Sequence, residues 1–229
     1  MKNLAVVVLT CDKYSHLWDT WYVNFKKHFN LDVPIYFCGE TKAYPKVKNI
    51  LVDEPDINRW TERIRKSIKQ IPEENLFVMC DDHIFKKDIT NTFLYAHTLF
   101  RLWDADAFRI SRIRYKAKTK NTGLTLKGYP IRKLRRTSMY IISYTPNLWK
   151  KSFLLKCLRG SNTPWRSELL GYRFRLFTSH RLQLPCRVYD CMYEDFYFDL
   201  MRRGIILLSA VKKGNIYEEN TSNIRQGKG

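Results

Sequence analysis

Two adjacent aspartates and a histidine, Asp81, Asp82 and His83, follow an apolar run from Leu76 to Cys80. Adjacent carboxylates repel each other, so a cation or a basic partner usually accompanies them. A hard divalent cation that bridges diphosphate oxygens needs only one or two protein carboxylates, because phosphates and water complete its coordination. The alternative interpretation is an aspartate pair in a solvated loop or at a helix cap. The three residues thus indicate a candidate phosphate and metal site.

A second chemical signal is an isolated acid in the C-terminal half. Glu168 is the first acidic residue after Asp106, in a segment that is otherwise rich in arginine. A carboxylate can act as a general base that takes the proton of an attacking hydroxyl. The alternative for Glu168 is a structural ion pair with Arg166 or Arg173. Glu168 is therefore a candidate base, but not the only one.

The rival acids are Glu194 and Asp195, which precede a predicted helix that ends at Gly204. Asp195 is a second candidate base. It could equally be the acid at the start of that helix, where the helix dipole stabilises negative charge. We favour Glu168, and the choice between Glu168 and Asp195 stays open.

The elements that position these residues alternate between strands and helices. Apolar runs predict strands over residues 4–9, 33–38, 50–52, 76–80, 108–113, 139–143 and 205–211. Apolar residues at three- and four-residue steps predict helices over 14–29, 58–71, 90–103 and 194–203. Thr145-Pro146, a capping hydroxyl before a proline, predicts another helix that ends at Gly160. The basic segment 115–136 is predicted to be a long loop or hairpin.

This alternation predicts an α/β fold with an open, mostly parallel sheet and helices on both faces. Ligands of such sheets bind at the carboxyl ends of the strands. We therefore expect the function to reside at Thr10 to Tyr14, after the first strand, and at Asp81 to His83.

The overall composition is that of one globular domain. The chain has 229 residues, of which 45% are hydrophobic, so it can bury a sizeable core. Its six cysteines show no CxxC spacing, and we expect buried free thiols in a reducing cytoplasm. The apolar run at the N-terminus is too short for a signal peptide, and no segment is long enough to span a bilayer.

Positive charge is the unusual feature of the composition. There are 41 Lys and Arg against 22 Asp and Glu, which gives a net charge of +19. No acidic residue occurs between Ala107 and Arg166, although 16 lysines and arginines do. One-sided charge of this kind repels itself unless something negative binds to it. We expect a continuous basic surface that faces nucleic acid or an anionic membrane rather than a merely soluble surface.

Several motifs together carry a resemblance to a known family. They are Leu9 to Tyr14 followed by Leu17-Trp18; Trp60-Thr61-Glu62-Arg63; Asp81 to His83; Tyr140 to Ser143; Pro146 to Trp149; Phe153 to Leu155; Thr163 to Glu168; and Val211 to Gly214. In this order and spacing the chain resembles bacterial and viral glycosyltransferase-like proteins with the GT-A fold. The resemblance covers most of the chain and implies a single GT-A-like (Rossmann-like) domain, 1–229. Residues 1–106 would bind a nucleotide sugar, and residues 107–229, with the basic loop 115–136, would bind the acceptor.

The resemblance also implies a donor site. Thr10, Asp12 and Tyr14 look like the first donor loop, which holds the base and ribose of a nucleotide-sugar donor, with a UDP-sugar as the first expectation. Arg63 looks like a phosphate-facing residue, and an ion pair with Glu62 or Asp53 is its alternative.

The same resemblance makes Asp82 the metal-binding carboxylate, with Asp81 and His83 as helpers. The histidine stands where the usual Asp-x-Asp pattern has its second aspartate. A histidine there favours Mn²⁺ over Mg²⁺.

The resemblance further implies that Glu168 is the base of an inverting transferase and that Trp165 is a stacking floor for a sugar or base. An acid pair before a helix with arginine and glycine, as at Asp195, is also a base motif of glycosyltransferases.

The acceptor separates three functional hypotheses. The first is a hydroxyl on a hydroxymethylated base in DNA, as in phage enzymes, with the duplex bound by Arg132, Lys133, Arg135 and Arg136. The second is a lipopolysaccharide or capsule glycan at the inner membrane, where the cations would face anionic lipid. The third is a basic nucleic-acid-binding module without catalysis. We favour the DNA acceptor.

Overall fold

The computed structural model of the chain describes residues 3–110, 119–126, 128–135, 142–170, 188–191 and 197–199. These residues form eleven strands and five α-helices. The strands in chain order are β1 (Leu4–Leu9), β2 (Ile35–Gly39), β3 (Lys48–Leu51), β4 (Asn75–Cys80), β5 (His83–Phe85), β6 (Ala107–Arg109), β7 (Thr119–Leu126), β8 (Tyr129–Leu134), β9 (Asn147–Lys150), β10 (Val188–Cys191) and β11 (Tyr197–Asp199). The helices are α1 (Trp18–His28), α2 (Trp60–Gln70), α3 (Thr90–Leu102), α4 (Lys151–Cys157) and α5 (Pro164–Leu170).

Nine of these strands form one sheet in the order β3-β2-β1-β4-β9-β6-β10-β8-β7. β3, β2, β1 and β4 pair in parallel, and so do β6 and β10. β9 and β8 run against their neighbours. The other seven strands of the sheet therefore share one direction, which confirms the predicted open, mostly parallel sheet.

Helices pack against both faces of the sheet. The side chains of a strand point alternately to its two faces, so a fully buried strand contributes to two cores. Leu4, Val6 and Val8 of β1 lie in a core with residues of α1 and α3. Ala5, Val7 and Leu9 lie in a second core with residues of α2 and α4. All six residues of β1 are buried, as expected for a central strand between two helical layers. This confirms the prediction of helices on both faces.

The region after residue 144 differs from the prediction. Thr145-Pro146 does not begin a helix, because the next residues form β9, which pairs antiparallel with both β4 and β6. Leu148 and Trp149 are fully buried there. Burial between two strands outweighs the local preference for a helix start, and the helix begins only at Lys151.

A second correction concerns the predicted helix 194–203. Residues Tyr197–Asp199 form β11, which pairs antiparallel with β5. The backbone groups of these residues therefore bond to a strand rather than to a helical turn. Residues 194–196 and 200–203 of that helix, the strand 205–211 and most of the strand 139–143 lie outside the described residues.

Segment 115–136, predicted as a loop or hairpin, contains the antiparallel hairpin of β7 and β8. The hairpin lies at the edge of the sheet farthest from β3. Of the described cysteines, Cys11, Cys38, Cys80 and Cys157 are free thiols, and Cys38 and Cys157 are buried. Across the described ranges, no helix combines the length and apolar character that a membrane span requires.

Candidate functional site

The carboxyl ends of β1 and β4 meet at the middle of the sheet. These two strands are parallel neighbours with Leu9 opposite Cys80. Thr10 and Asp81 therefore follow adjacent strands and lie side by side. The Thr10 hydroxyl donates a hydrogen bond to Asp81. The indole N–H of Trp18 is shared between Thr10 Oγ1 at 2.7 Å and Asp81 Oδ2 at 3.2 Å.

Asp81 is turned into the protein, with only 2% of its surface exposed. Burial, together with the charge of Asp82, raises its pKa to about 7, although the hydrogen bonds from Thr10 and Trp18 act in the opposite direction. In this position its carboxylate ties the ends of β1 and β4 together.

Asp82 is partly exposed at the same edge, and His83 is buried beside it. The Asp82 side chain is 21% exposed and the His83 side chain 7%. His83 Nδ1 accepts a hydrogen bond from the Cys80 N–H at 3.1 Å, and His83 Nε2 lies 3.8 Å from Asp82 Oδ1. One ligand atom each from Cys80, Asp82 and His83 lies within 4.8 Å of the others. These three residues could therefore hold a metal ion.

The hydrogen bonding of His83 decides how well each of the three residues suits a cation. A neutral imidazole carries one N–H, and here Nδ1 is an acceptor, so the ring proton belongs on Nε2. When one ring nitrogen of a histidine ligates a metal, the other ring nitrogen carries the proton and donates it to a neighbouring group. The carboxylate of Asp82 is an ordinary ligand for a hard divalent cation. His83 would have to give up its bond to the Cys80 N–H to join.

The loop after β1, predicted to hold the donor, is joined by hydrogen bonds to the loop after β2. The Asp12 carboxylate accepts the backbone N–H of Thr41 at 3.2 Å and of Lys42 at 3.0 Å, besides the Thr41 hydroxyl. Partial burial acts to raise the pKa of Asp12, but these hydrogen bonds hold it below its ordinary value. The predicted donor-loop residue Asp12 thus fastens the loop after β1 to the loop after β2.

Tyr14 is half-buried near Asp81 and Asp82, which follow β4. Its pKa is raised first by burial and then by the nearby charges of Cys11, Asp82 and Asp81. The structure therefore brings Tyr14 to the same edge as Thr10, Asp81 and Asp82, as predicted from the strand ends.

Arg63 points into the protein rather than outward. Its side chain is 3% exposed and pairs with Glu40, and its Nη2 donates to Thr10 O at 3.1 Å. The other oxygen of Glu40 accepts the Asp12 N–H at 2.9 Å. Glu62, the ion-pair partner considered for Arg63, binds Arg59 and Lys66 instead.

Glu168 reaches the same region from α5. Its Oε1 accepts the Tyr144 N–H at 2.8 Å. The Cys80 thiol, at the end of β4, donates to the carbonyl of Tyr144 at 3.8 Å. Glu168 is therefore joined through Tyr144 to the end of β4, two residues before Asp82.

The electrostatic surroundings of Glu168 combine burial with nearby cations. Burial raises its pKa, and the Tyr144 N–H, Arg109, Ser143 and His83 act to lower it, with a net rise. A carboxylate with a raised pKa is a stronger proton acceptor, which suits a general base. Of the alternative partners, Arg166 is exposed and Arg173 lies outside the described residues.

Trp165 is on the same helix as Glu168, three residues earlier, and its surface is 67% exposed. Residues three apart on a helix lie on one side of it. The structure thus places the predicted stacking residue beside the predicted base. Asp195 and Arg136 lie outside the described residues.

The predicted acceptor cations lie farther away. Arg132 and Lys133 belong to β8, and Arg135 follows that strand. β8 is separated from β4 by β9, β6 and β10, which is four strand spacings of about 4.8 Å, or roughly 19 Å. The structure therefore does not bring the hairpin cations into contact with Asp82.

Within the acid-free stretch, residues 111–118, 127 and 136–141 lie outside the described residues, and the described cations do not all lie at the surface. Arg109 is fully buried. Lys150 pairs with Asp104 and Lys151 with Glu74, near the amino end of β4, opposite the candidate site. The continuous basic surface expected for the whole stretch therefore stays a prediction. The exposed cations of the hairpin are Lys120, Arg132 and Arg135.

Sequence reasoning missed several residues that build the site. Glu40 follows β2 and could have been found by the same strand-end rule that found Thr10 and Asp81. Trp18 belongs to a motif of the resemblance, but its bond to Asp81 joins residues that are 63 positions apart, and Tyr144 carries no local signal.

Together, the strand order, the two helical layers and the polar edge at β1 and β4 define a GT-A-like α/β fold of one domain. No family model matches the chain, and no curated protein matches it. Solved structures do resemble it. S. aureus TarS 1-349 in complex with UDP-GlcNAc superposes with a TM-score of 0.51 at 10% identity, over 90% of this chain and 61% of TarS 1-349.

Two further structures are similar at the same level. HddC from Yersinia pseudotuberculosis has a TM-score of 0.50 at 13% identity, over 91% of this chain and 96% of HddC. Bifunctional IspDF from Campylobacter jejuni has a TM-score of 0.50 at 12% identity, over 87% of this chain and 52% of IspDF. The chain spans 36% of the longer TarS chain. At these identities the likeness establishes the fold.

Proposed function

We propose that the protein is a glycosyltransferase that binds a nucleotide-sugar donor at the carboxyl ends of β1 and β4. The observation that carries the proposal is the convergence of Asp82 and Glu168, joined through Cys80 and Tyr144, at this edge of a GT-A-like sheet. The complex of the similar TarS fragment with UDP-GlcNAc supports a nucleotide sugar as the donor.

In the proposed reaction an acceptor hydroxyl attacks the anomeric carbon of the donor sugar. A new carbon–oxygen bond forms, and the bond between the anomeric carbon and the diphosphate oxygen breaks. Glu168 accepts the proton that the hydroxyl loses, and the nucleoside diphosphate leaves with the electron pair of the broken bond. Trp165 offers the acceptor an exposed aromatic face beside Glu168.

The donor diphosphate would lie near Asp82. When a divalent cation such as Mn²⁺ or Mg²⁺ is bound, Asp82 would hold it, and the cation would stabilise negative charge on the leaving diphosphate. Thr10, Asp81 and Trp18 fix the backbone from which Asp82 projects.

For the acceptor we propose a hydroxymethylated base in DNA, which would make the protein a DNA-modifying enzyme. The support is the net charge of +19 and the exposed cations of the hairpin, Lys120, Arg132 and Arg135. Roughly 19 Å along the sheet separates the hairpin strand β8 from β4, so an acceptor that contacts both must be long. A DNA duplex is a polyanion of that kind.

Donor binding tests the proposal. We expect UDP and UDP-sugars to bind in the presence of Mn²⁺, measured by calorimetry. We expect Asp82→Asn to weaken the binding at least about ten-fold, as for loss of a metal-site contact. Asp32→Asn, at an exposed aspartate before β2, is the matched control and should bind like the parent. Binding by Asp82→Asn equal to that of the parent contradicts the assignment of Asp82.

A further inference from the structure

We infer that Thr61 is a positioning residue that holds the helix bearing Glu168 in register with the donor loop. This inference rests on the proposed function. Thr61 is 1% exposed, in the first turn of α2. Its hydroxyl donates to Gly160 O at 2.7 Å and accepts the Asn162 N–H at 2.9 Å. Its own N–H donates to Asn162 O at 3.1 Å.

The segment that Thr61 holds leads directly into α5. Gly160 has a φ of +81°, a conformation that favours glycine, and it turns the chain after α4. The Thr163 hydroxyl then accepts the Arg166 N–H at 3.2 Å, and Pro164 occupies the first helical position. Because little chain separates Asn162 from α5, a shift of this segment moves Glu168 with it.

The same turn of α2 also holds the donor side. Arg63 donates to the carbonyl of Thr10 and pairs with Glu40, which accepts the N–H of Asp12. The Trp60 ring packs edge-on against the ring of Tyr144 with centroids 4.7 Å apart, and the Tyr144 N–H holds Glu168. Thus Trp60 and Thr61 contact residues that hold Glu168 or its helix, and Arg63 contacts the loop after β1.

A helical turn is rigid, so these contacts fix the distance between the donor loop and Glu168. Reactions of positioned groups are sensitive to small displacements, and a shift of about 1 Å can cost roughly 100-fold in rate. Loss of the Thr61 hydroxyl removes two of the three bonds to the segment and leaves the contacts of Arg63 in place. The segment before α5 is then held less tightly, while the contacts of Arg63 with the loop after β1 are retained.

The test compares Thr61→Val, which keeps the volume but lacks the hydroxyl, with Thr61→Ser, which keeps it. The readout is the turnover of a UDP-sugar that the parent uses. We expect Thr61→Val to lower kcat by about 10- to 100-fold with little change in KM for the donor. Thr61→Ser should stay near the parent. Ser161→Ala, which removes only the exposed bond to Glu62, is the control and should also stay near the parent.

If Thr61→Val does not fold, Gly160→Ala tests the same contact. Gly160 accepts the hydrogen bond of the Thr61 hydroxyl and lies at an exposed position. The added Cβ meets only Asn162 Nδ2, at 3.8 Å, but the left-handed backbone is strained, so kcat should fall in the same direction. The inference is overturned if folded Thr61→Val has the kcat of the parent. If Thr61→Val does not fold, a parent-like kcat in Gly160→Ala overturns it. So does an equal loss of donor affinity and kcat. A parent without any donor turnover instead contradicts the proposed function.

Discussion

Asp81 and Asp82 are adjacent in sequence, yet their side chains have different surroundings. Asp81 lies beneath the edge of the sheet and bonds to Thr10 and Trp18, whereas Asp82 is partly exposed at that edge. Burial favours the neutral form of a carboxyl group. The pair therefore divides into an internal residue that joins two strands and an outer residue that can meet a ligand.

This difference predicts a pH dependence of stability. The pKa of Asp81 is about 7 in the folded protein against an ordinary value of 3.8. Between these values the folded state holds a proton that the unfolded state has released, so the contribution of Asp81 to stability falls as the pH rises. Asp81→Asn cannot titrate. We expect the free energy of unfolding of the parent, relative to Asp81→Asn, to decrease from about pH 4 to about pH 7, as measured by urea titration.

The same titration is carried out on Asp32→Asn as the matched control, because this substitution replaces an exposed carboxylate by the same amide. Parallel pH curves for the parent and Asp81→Asn would show that Asp81 titrates with an ordinary pKa in the folded protein.

Individual site residues could be predicted where polar side chains directly follow the end of a strand. Thr10, Asp81 and Asp82 were found in this way because parallel strands place their carboxyl ends at one edge. The inward direction of Arg63 could not be found, because it depends on Glu40, 23 residues away. The bond between Glu168 and Tyr144 likewise depends on how α5 packs.

At the scale of elements, one local signal occurs twice with different outcomes. Threonine followed by proline stands at 145–146 and at 163–164. Only Thr163-Pro164 begins a helix, and there the Thr163 hydroxyl accepts a backbone N–H. The first pair precedes β9, whose buried residues fill the sheet between β4 and β6. Propensity predicts elements that lie on the surface of the sheet better than a strand inserted within it.

The hairpin of β7 and β8 carries the prediction about the acceptor. Replacement of Arg132, Lys133 and Arg135 by alanine removes three cations from an exposed edge of the sheet. If they contact phosphates, the slope of log affinity for duplex DNA against log salt should fall by about 2 to 3. Because the hairpin is far from Asp82, turnover of the nucleotide sugar without an acceptor should be unchanged.

The matched control for this triple variant replaces Lys26, Lys69 and Arg101, three exposed cations on α1, α2 and α3. It changes the net charge equally and should leave most of the salt dependence in place. A parent without salt-dependent affinity for DNA contradicts the DNA acceptor. In that case, loss of binding to anionic vesicles on substitution of the hairpin would favour an envelope glycan at a membrane.

For the whole molecule, the fold and the charge lead to separate conclusions. The chain matches nearly the full length of HddC but about a third of TarS, so the shared part is the α/β domain. The order of strands places the candidate donor site at the middle of the sheet and the exposed hairpin cations at its far edge. A net charge of +19 disfavours the compact state through self-repulsion, which binding of a polyanion would relieve.

The central claim, transfer of a sugar from a nucleotide, is tested most directly by the release of nucleotide from a panel of nucleotide sugars with Mn²⁺ or Mg²⁺. The parent should release UDP from at least one UDP-sugar, as water replaces the acceptor. Glu168→Gln should bind that donor normally but lose at least about 100-fold in kcat, because general-base catalysis contributes typically 10²–10⁴-fold. Asp195→Asn should retain turnover. The absence of turnover by the parent with every donor would contradict the glycosyltransferase assignment, and loss of turnover in Asp195→Asn but not in Glu168→Gln would move the base to Asp195.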